Sequence, residues 1–99
     1  MNVPVYMDVP VYIVENCYYM QNDKFSWTEY GHSIQSVRKN FEGALDVLRA
    51  IYKEATQNPN NYDVQINEEA AVPYVLYRWK GAENKQYERF AEIIIRDLT

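Results

Sequence analysis

Asn40-Phe41-Glu42-Gly43-Ala44-Leu45-Asp46-Val47-Leu48-Arg49-Ala50-Ile51-Tyr52-Lys53-Glu54-Ala55 is the stretch that decides the fold. Phe41, Ala44, Leu45, Leu48, Ile51, Tyr52 and Ala55 recur at the spacing of one face of a helix. Asn40 is a good N-cap, because its short side chain can accept from a backbone N–H that the first turn leaves unbonded. Glu42 and Asp46 come early while Arg49 and Lys53 come late, an order that complements the helix dipole. Asn58-Pro59-Asn60-Asn61 then stops the helix, since proline disfavours helical geometry in the residue before it and asparagine suits a turn.

On either side of this helix the residues favour strands. Val11 to Met20 is β-branched or aromatic with few helix formers, Gln21-Asn22-Asp23-Lys24 supplies turn chemistry, and Phe25 to Ile34 reads as the returning strand. Gly31 in Tyr30-Gly31-His32 marks a bulge. Ahead of this hairpin, Val3-Pro4-Val5-Tyr6 and Val9-Pro10-Val11-Tyr12 echo each other in what reads as an extended arm over residues 1–10, where each proline removes a backbone donor. After the helix, Tyr62, Val64 and Ile66 alternate with Asp63, Gln65 and Asn67, as in an edge or one-faced strand. Val72 to Trp79 is a clear strand, and Gly81-Ala82-Glu83-Asn84 can turn it back. The last segment reads two ways. Tyr87, Phe90, Ala91, Ile94 and Leu98 fit a helical stripe, whereas the β-branched run Ile93-Ile94-Ile95 prefers a pleated surface; following a strand and a turn, it is assigned as a strand. The expected fold is α+β: an antiparallel sheet of four to five strands in the order β-β-α-β-β-β, with one amphipathic helix packed on one face.

Composition sets further bounds. The chain has 99 residues, 47% of them hydrophobic and 24% charged, which fits one globular domain over residues 1–99. Its single cysteine, Cys17, cannot form an internal disulfide, so the cytoplasm is the expected compartment. The N-terminus lacks a basic segment followed by an apolar run, and no stretch approaches the ~18 apolar residues of a membrane span. The formal charge of −4 argues against sequence-independent binding to nucleic acid, which depends on neutralising phosphates.

The strand faces point toward function. Val11, Ile13, Cys17 and Tyr19 lie on one side of the first strand, and Tyr12, Val14, Tyr18 and Met20 on the other. Tyr74 and Leu76 oppose Val75, Tyr77 and Trp79 in the strand after Pro73. In the last segment Phe90, Ile94 and Leu98 oppose Ala91, Ile93 and Ile95. A helix of about 17 residues is ~25 Å long and ~10 Å wide, enough to shield one face of such a sheet and not both. The remainder is an aromatic surface suited to a protein interface. Tyr18, Trp27, Tyr30, Tyr74, Tyr77 and Trp79 are the candidate contact residues.

Groups able to do chemistry are few. His32 has no second His and no clustered cysteines for a zinc set. Cys17 could meet His32 across the hairpin, yet a free cysteine among strand residues is ordinarily a small hydrophobe. Ser26, Ser33 and Ser36 lack a nucleophile-elbow context, and three glycines form no phosphate loop. The acids Glu68-Glu69 and Glu83, Glu88 and Glu92 could imitate phosphates, but Lys85 and Arg89 interrupt them. No enzyme activity, cofactor or metal is therefore expected.

The stretch from Tyr18-Tyr19 through Asn22-Asp23-Lys24-Phe25-Ser26-Trp27-Thr28-Glu29-Tyr30-Gly31, the amphipathic helix, and Val72-Pro73-Tyr74-Val75 together resemble the small orphan proteins of bacteriophages and mobile elements. That group includes anti-CRISPR and other anti-defence inhibitors. The resemblance implies a short, acidic, cofactor-free protein that binds a host protein and blocks it; it transfers no functional residue. The resulting expectation is a non-enzymatic, cytoplasmic protein-binding module acting by steric occlusion, with a host protein as partner, a second copy of the chain as a further partner, and neither nucleic acid nor membrane. The alternatives are a homo-oligomeric nucleotide or small-ligand sponge and a structural assembly subunit.

Overall fold

The structure, a computed structural model, describes residues 9–21 and 26–97. Most of the expected arm over residues 1–10, the tip of the first hairpin turn and Leu98 lie outside them. The elements are β1 (Pro10–Gln21), β2 (Trp27–Arg38), α1 (Phe41–Gln57), β3 (Asn61–Asn67), β4 (Tyr74–Lys80) and β5 (Gln86–Asp97). The strands form one antiparallel sheet in the order β2-β1-β5-β4-β3. The α+β architecture expected from the sequence is thus the one found, and the ambiguous last segment is a strand at the centre of the sheet. Ile93-Ile94-Ile95 decides its type, because β-branched side chains stiffen χ1 and fit a pleated surface with neighbours on both sides.

Helix α1 begins as its sequence indicates. Asn40 is extended (φ −137°, ψ 159°) and its Oδ1 accepts from the Gly43 N–H at 2.7 Å. At the other end an asparagine turn closes the chain back on itself: Asn61 Nδ2 donates to the Ala55 carbonyl at 3.0 Å, and the Asn60 N–H donates to Asn58 Oδ1 at 2.9 Å. The buried stripe of Ala44, Leu45, Leu48 and Ile51 packs on Val14 of β1, Val75 of β4, and Ala91 and Ile93 of β5. Antiparallel register puts all four strand residues on the same side of the sheet, since Val14 opposes Ile93 and Ala91 opposes Val75. This cluster occupies one face; on the other, Val11 is buried at the start of β1.

Some boundaries differ from the sequence reading. β2 runs past Ile34 to Arg38 because its register with β1 absorbs two extra residues. Val14 pairs with Ser36 and Glu15 with Ile34, leaving Gln35 as a bulge; Tyr18 pairs with Gly31 and Tyr19 with Glu29, leaving Tyr30 as a second. The second lies in the segment where Gly31 signalled one. β4 starts at Tyr74 rather than Val72, since Pro73 has no N–H for a ladder, although its carbonyl accepts from Ile93 N at 3.0 Å. β3 is an edge strand, as its alternation indicated.

The opposite face carries an electrostatic conflict. Glu15 and Glu92 stand directly across from each other in β1 and β5. Partial burial, and then the Glu15 charge, hold the Glu92 carboxyl above its ordinary range. A carboxyl raised in the folded chain favours the protonated form there, so its contribution to stability is present below the unfolded-state value and is lost as pH rises through the folded-state value. Glu92→Gln should therefore raise stability at neutral pH by about 0.2–1 kcal/mol, the range for cross-strand charge pairs, and flatten stability against pH just above the usual carboxylate range. Urea unfolding of both proteins across that range checks it; an unchanged slope would contradict the assignment.

Candidate functional site: an aromatic ring around Arg89

The strands that share the core face with α1 extend beyond the helix end, and their next residues there are aromatic. Tyr18 follows Val14 and Asn16 along β1, Tyr77 and Trp79 follow Val75 along β4, and Arg89 and Tyr87 precede Ala91 and Ile93 on β5. Register brings them level, because Tyr18 opposes Arg89, Arg89 opposes Tyr77, and Tyr87 opposes Trp79. The bulge residue Tyr30 closes the set from β2. Tyr18 and Tyr30 have ring centroids 6.1 Å apart, Tyr30 and Tyr87 5.9 Å, Tyr87 and Trp79 5.5 Å and nearly parallel, and Trp79 and Tyr77 5.6 Å. The Arg89 guanidinium completes the circuit, 5.7 Å from the Tyr18 ring and 5.7 Å from the Tyr77 ring. Each such ring pair contributes on the order of 0.5–1.5 kcal/mol beyond its buried area.

Arg89 is held from below by Asn16, a buried polar residue only 1% exposed. Asn16 Oδ1 accepts from Arg89 Nε at 3.0 Å and Nη2 at 2.7 Å, while Asn16 Nδ2 donates to Ser33 Oγ at 3.2 Å and Gln35 Oε1 at 3.3 Å. Arg89 Nη1 donates to the Tyr77 hydroxyl at 3.0 Å, and Nη2 also donates to Gln35 Oε1 at 3.2 Å. All these acceptors are neutral, and the guanidinium has no carboxylate partner among the described residues. Some compensation comes from α1. Its last turn holds no basic residue, and Arg89 lines a crevice of about 310 Å³ with Ala55, Gln57 and Asn58, which puts the cation at the negative end of the helix. A second crevice of about 470 Å³ adjoins it, walled by Tyr77, Trp79, Lys80 and the Asn58–Asn61 turn.

Glycine makes the ring possible at one point. A Cβ on Gly81 would lie 2.2 Å from Tyr87 Cε2, so the stacked Tyr87 occupies the space a side chain would need.

Of the six residues singled out from the sequence, Tyr18, Tyr30, Tyr77 and Trp79 are brought together here. Trp27 and Tyr74 are not: they lie on the opposite face, where the Arg78 guanidinium sits 5.6 Å from the Trp27 ring and Tyr74 stacks on Phe90 at 5.1 Å. Sequence reasoning missed Arg89, Asn16, Gln35 and Tyr87. A signal for two of them was present: Tyr87 and Arg89 share the parity of Ala91 and Ile93, and so share their face once β5 is a strand. Gln35 gave none, since its place beside Asn16 depends on how β2 pairs with β1.

Cys17 lies on the other face, opposite His32 in register, and burial together with Glu29 pushes its thiol up, away from the nucleophilic thiolate. His32 Nε2 is 3.3 Å from Glu15 Oε2. Among the described residues no group of three or more His, Cys, Asp and Glu could hold a metal ion, and no helix is long and apolar enough to cross a membrane. Comparison with protein-family models, with curated proteins and with solved structures returns no match.

Two substitutions test the geometry. Arg89→Met keeps the stem but leaves the buried Asn16 Oδ1 without its donors, which should cost about 1–3 kcal/mol in urea unfolding; a loss near zero would mean that water replaces the guanidinium freely. Gly81→Ala should displace the Tyr87 ring and unstack Trp79, changing near-ultraviolet circular dichroism and tryptophan emission while the far-ultraviolet spectrum stays the same. Unaltered near-ultraviolet signals would contradict the stacking.

Proposed function

We propose that this chain is a non-enzymatic protein-binding module, a phage-type inhibitor that blocks a host defence protein in the cytoplasm by stoichiometric occlusion. The observation that carries the reading is the composition and placement of the ring around Arg89. Tyrosine, tryptophan and arginine are the residues that most often dominate binding energy at protein interfaces, and there they cluster in pockets edged by less important contacts. Tyr30 is 52% exposed and stands at the rim, while Tyr77, Trp79 and Tyr87 are half-buried and already oriented by one another. Pre-ordered rings lose little freedom on docking, so more of their contact energy appears as affinity. The resemblance to orphan phage proteins supports the inhibitor part of the reading.

One observation favours a second reading, a small-ligand or nucleotide sponge: Arg89 has no carboxylate partner among the described residues and lies beside crevices walled by aromatic rings and asparagine amides. Stacking on Trp79 with an anionic group at Arg89 would use both features.

Affinity capture from a bacterial host with wild-type and variant chains separates the two. The protein-binding reading expects a one-to-one complex that Tyr30→Ala and Trp79→Ala each weaken by a factor of roughly 30, the size of an interface hot spot, with the fold intact by circular dichroism. Undiminished capture by the double variant would sink it. A thermal shift produced by nucleotides and lost in Arg89→Met would favour the sponge instead.

A further inference from the structure

The sheet face turned away from α1 has different chemistry. β1 sends Ile13, Glu15, Cys17 and Tyr19 to it, β5 sends Glu88, Phe90, Glu92 and Ile94, and no described helix or strand crosses it. Its apolar residues flank the Glu92–Glu15 row: Tyr74 stacks on Phe90 at one side, and on the β2 edge Ile34 and Val37 are 59% and 56% exposed. Several carboxylates are set on this face. Two have strong partners: Arg78 Nε is 2.9 Å from Glu88 Oε2, and its Nη1 is 3.3 Å from Asp63 Oδ2. Glu15 has only the His32 contact, and Glu92 has no hydrogen-bond or ion-pair partner among the described residues. In register the Glu15–Glu92 pair lies two residues along the strands from the Cys17–Phe90 pair, and Glu29 stands opposite Tyr19, two residues to the other side of Cys17.

Charge decides what this face can receive. A second copy packed face to face would lay one acidic row on another, and nucleic acid would bring phosphates to it. A purely apolar partner would strip water from Glu92 and leave its carboxyl without a partner, a desolvation cost that a cation would offset. A cation between Glu15 and Glu92 removes the conflict. We propose that this face docks an extended basic segment of a partner protein, with an arginine or lysine entering between Glu15 and Glu92 and apolar neighbours lying on Phe90 and Ile13. The surface is separate from the ring around Arg89, so either can fail without the other.

Cys17 allows the face itself to be read, because the chain has no other cysteine and this one lies beside the acidic pair. The probe is an acetylated, amidated extended peptide with a single arginine, valine two residues to either side of it and threonine at the intervening positions, so that arginine and valines share one face, and the readout is the rate of Cys17 alkylation by a neutral maleimide at mildly alkaline pH. The peptide should slow alkylation saturably, and Glu15→Gln/Glu92→Gln should raise the concentration needed by about tenfold or more. Glu54→Gln/Glu69→Gln removes the same formal charge elsewhere and should leave that concentration unchanged. Glu92→Gln alone, which relieves repulsion, serves if the double variant fails to fold. No protection by the peptide, equal weakening by both double variants, or protection by the protein's own concentration without peptide would each overturn the proposal.

Discussion

A mismatch of lengths governs this molecule. Its three longest strands have 12 residues and span about 40 Å, whereas α1 has 17 residues and spans about 25 Å. The helix can bury Val14, Val75, Ala91 and Ile93, but it cannot reach the far ends of the same strands. There the sheet must satisfy itself, and it does so with side chains large enough to cover backbone by leaning on one another. The aromatic ring around Arg89 is thus a consequence of the fold's proportions as much as a feature added to it.

Within that ring the Arg89–Asn16 bond ties more of the sheet together than any other side-chain contact. Ser33 and Gln35 of β2, Asn16 of β1, Arg89 of β5 and Tyr77 of β4 form one network across four strands. A buried polar network tolerates few alternatives, because a strand slipped by one residue would turn Asn16 to the other face and strand its partners. The bulges at Gln35 and Tyr30 belong to the same device: each shifts the alternation by one, so that Gln35 and Ser36, and Tyr30 and Gly31, lie on the same face. Register is therefore specified by polar geometry on the very strands whose apolar residues form the core.

This explains what could be read from the sequence and what could not. Periodicity is a local property, so α1, its Asn40 cap and the two faces of β1, β4 and β5 were legible; even the bulge near Gly31 had a local signal. Strand order and pairing are non-local. That Tyr18, Tyr77 and Trp79 converge, while Trp27 and Tyr74 go elsewhere, depends on β5 lying between β1 and β4, which no short-range pattern encodes. Arg89 had only the parity it shares with Ala91 and Ile93; that it meets Asn16 and Tyr77 follows from its neighbours across two strands, which no local pattern encodes.

The net charge of −4 conceals a further consequence of alternation. On β5 the residues from Glu88 to Glu92 alternate between faces, so the acids Glu88 and Glu92 go to the open side and Arg89 goes to the helix side. β1 repeats the separation, sending Glu15 out and placing Asn16 where it receives Arg89. One sheet therefore presents, on one face, a cation without a carboxylate partner among the described residues and ringed by aromatics, and on the other a set of carboxylates of which Glu92 has no ion-pair partner among the described residues. A single total for charge predicts repulsion from nucleic acid and little else. The face-by-face distribution is what a partner meets, and in an antiparallel sheet it is written by the parity of residue numbers.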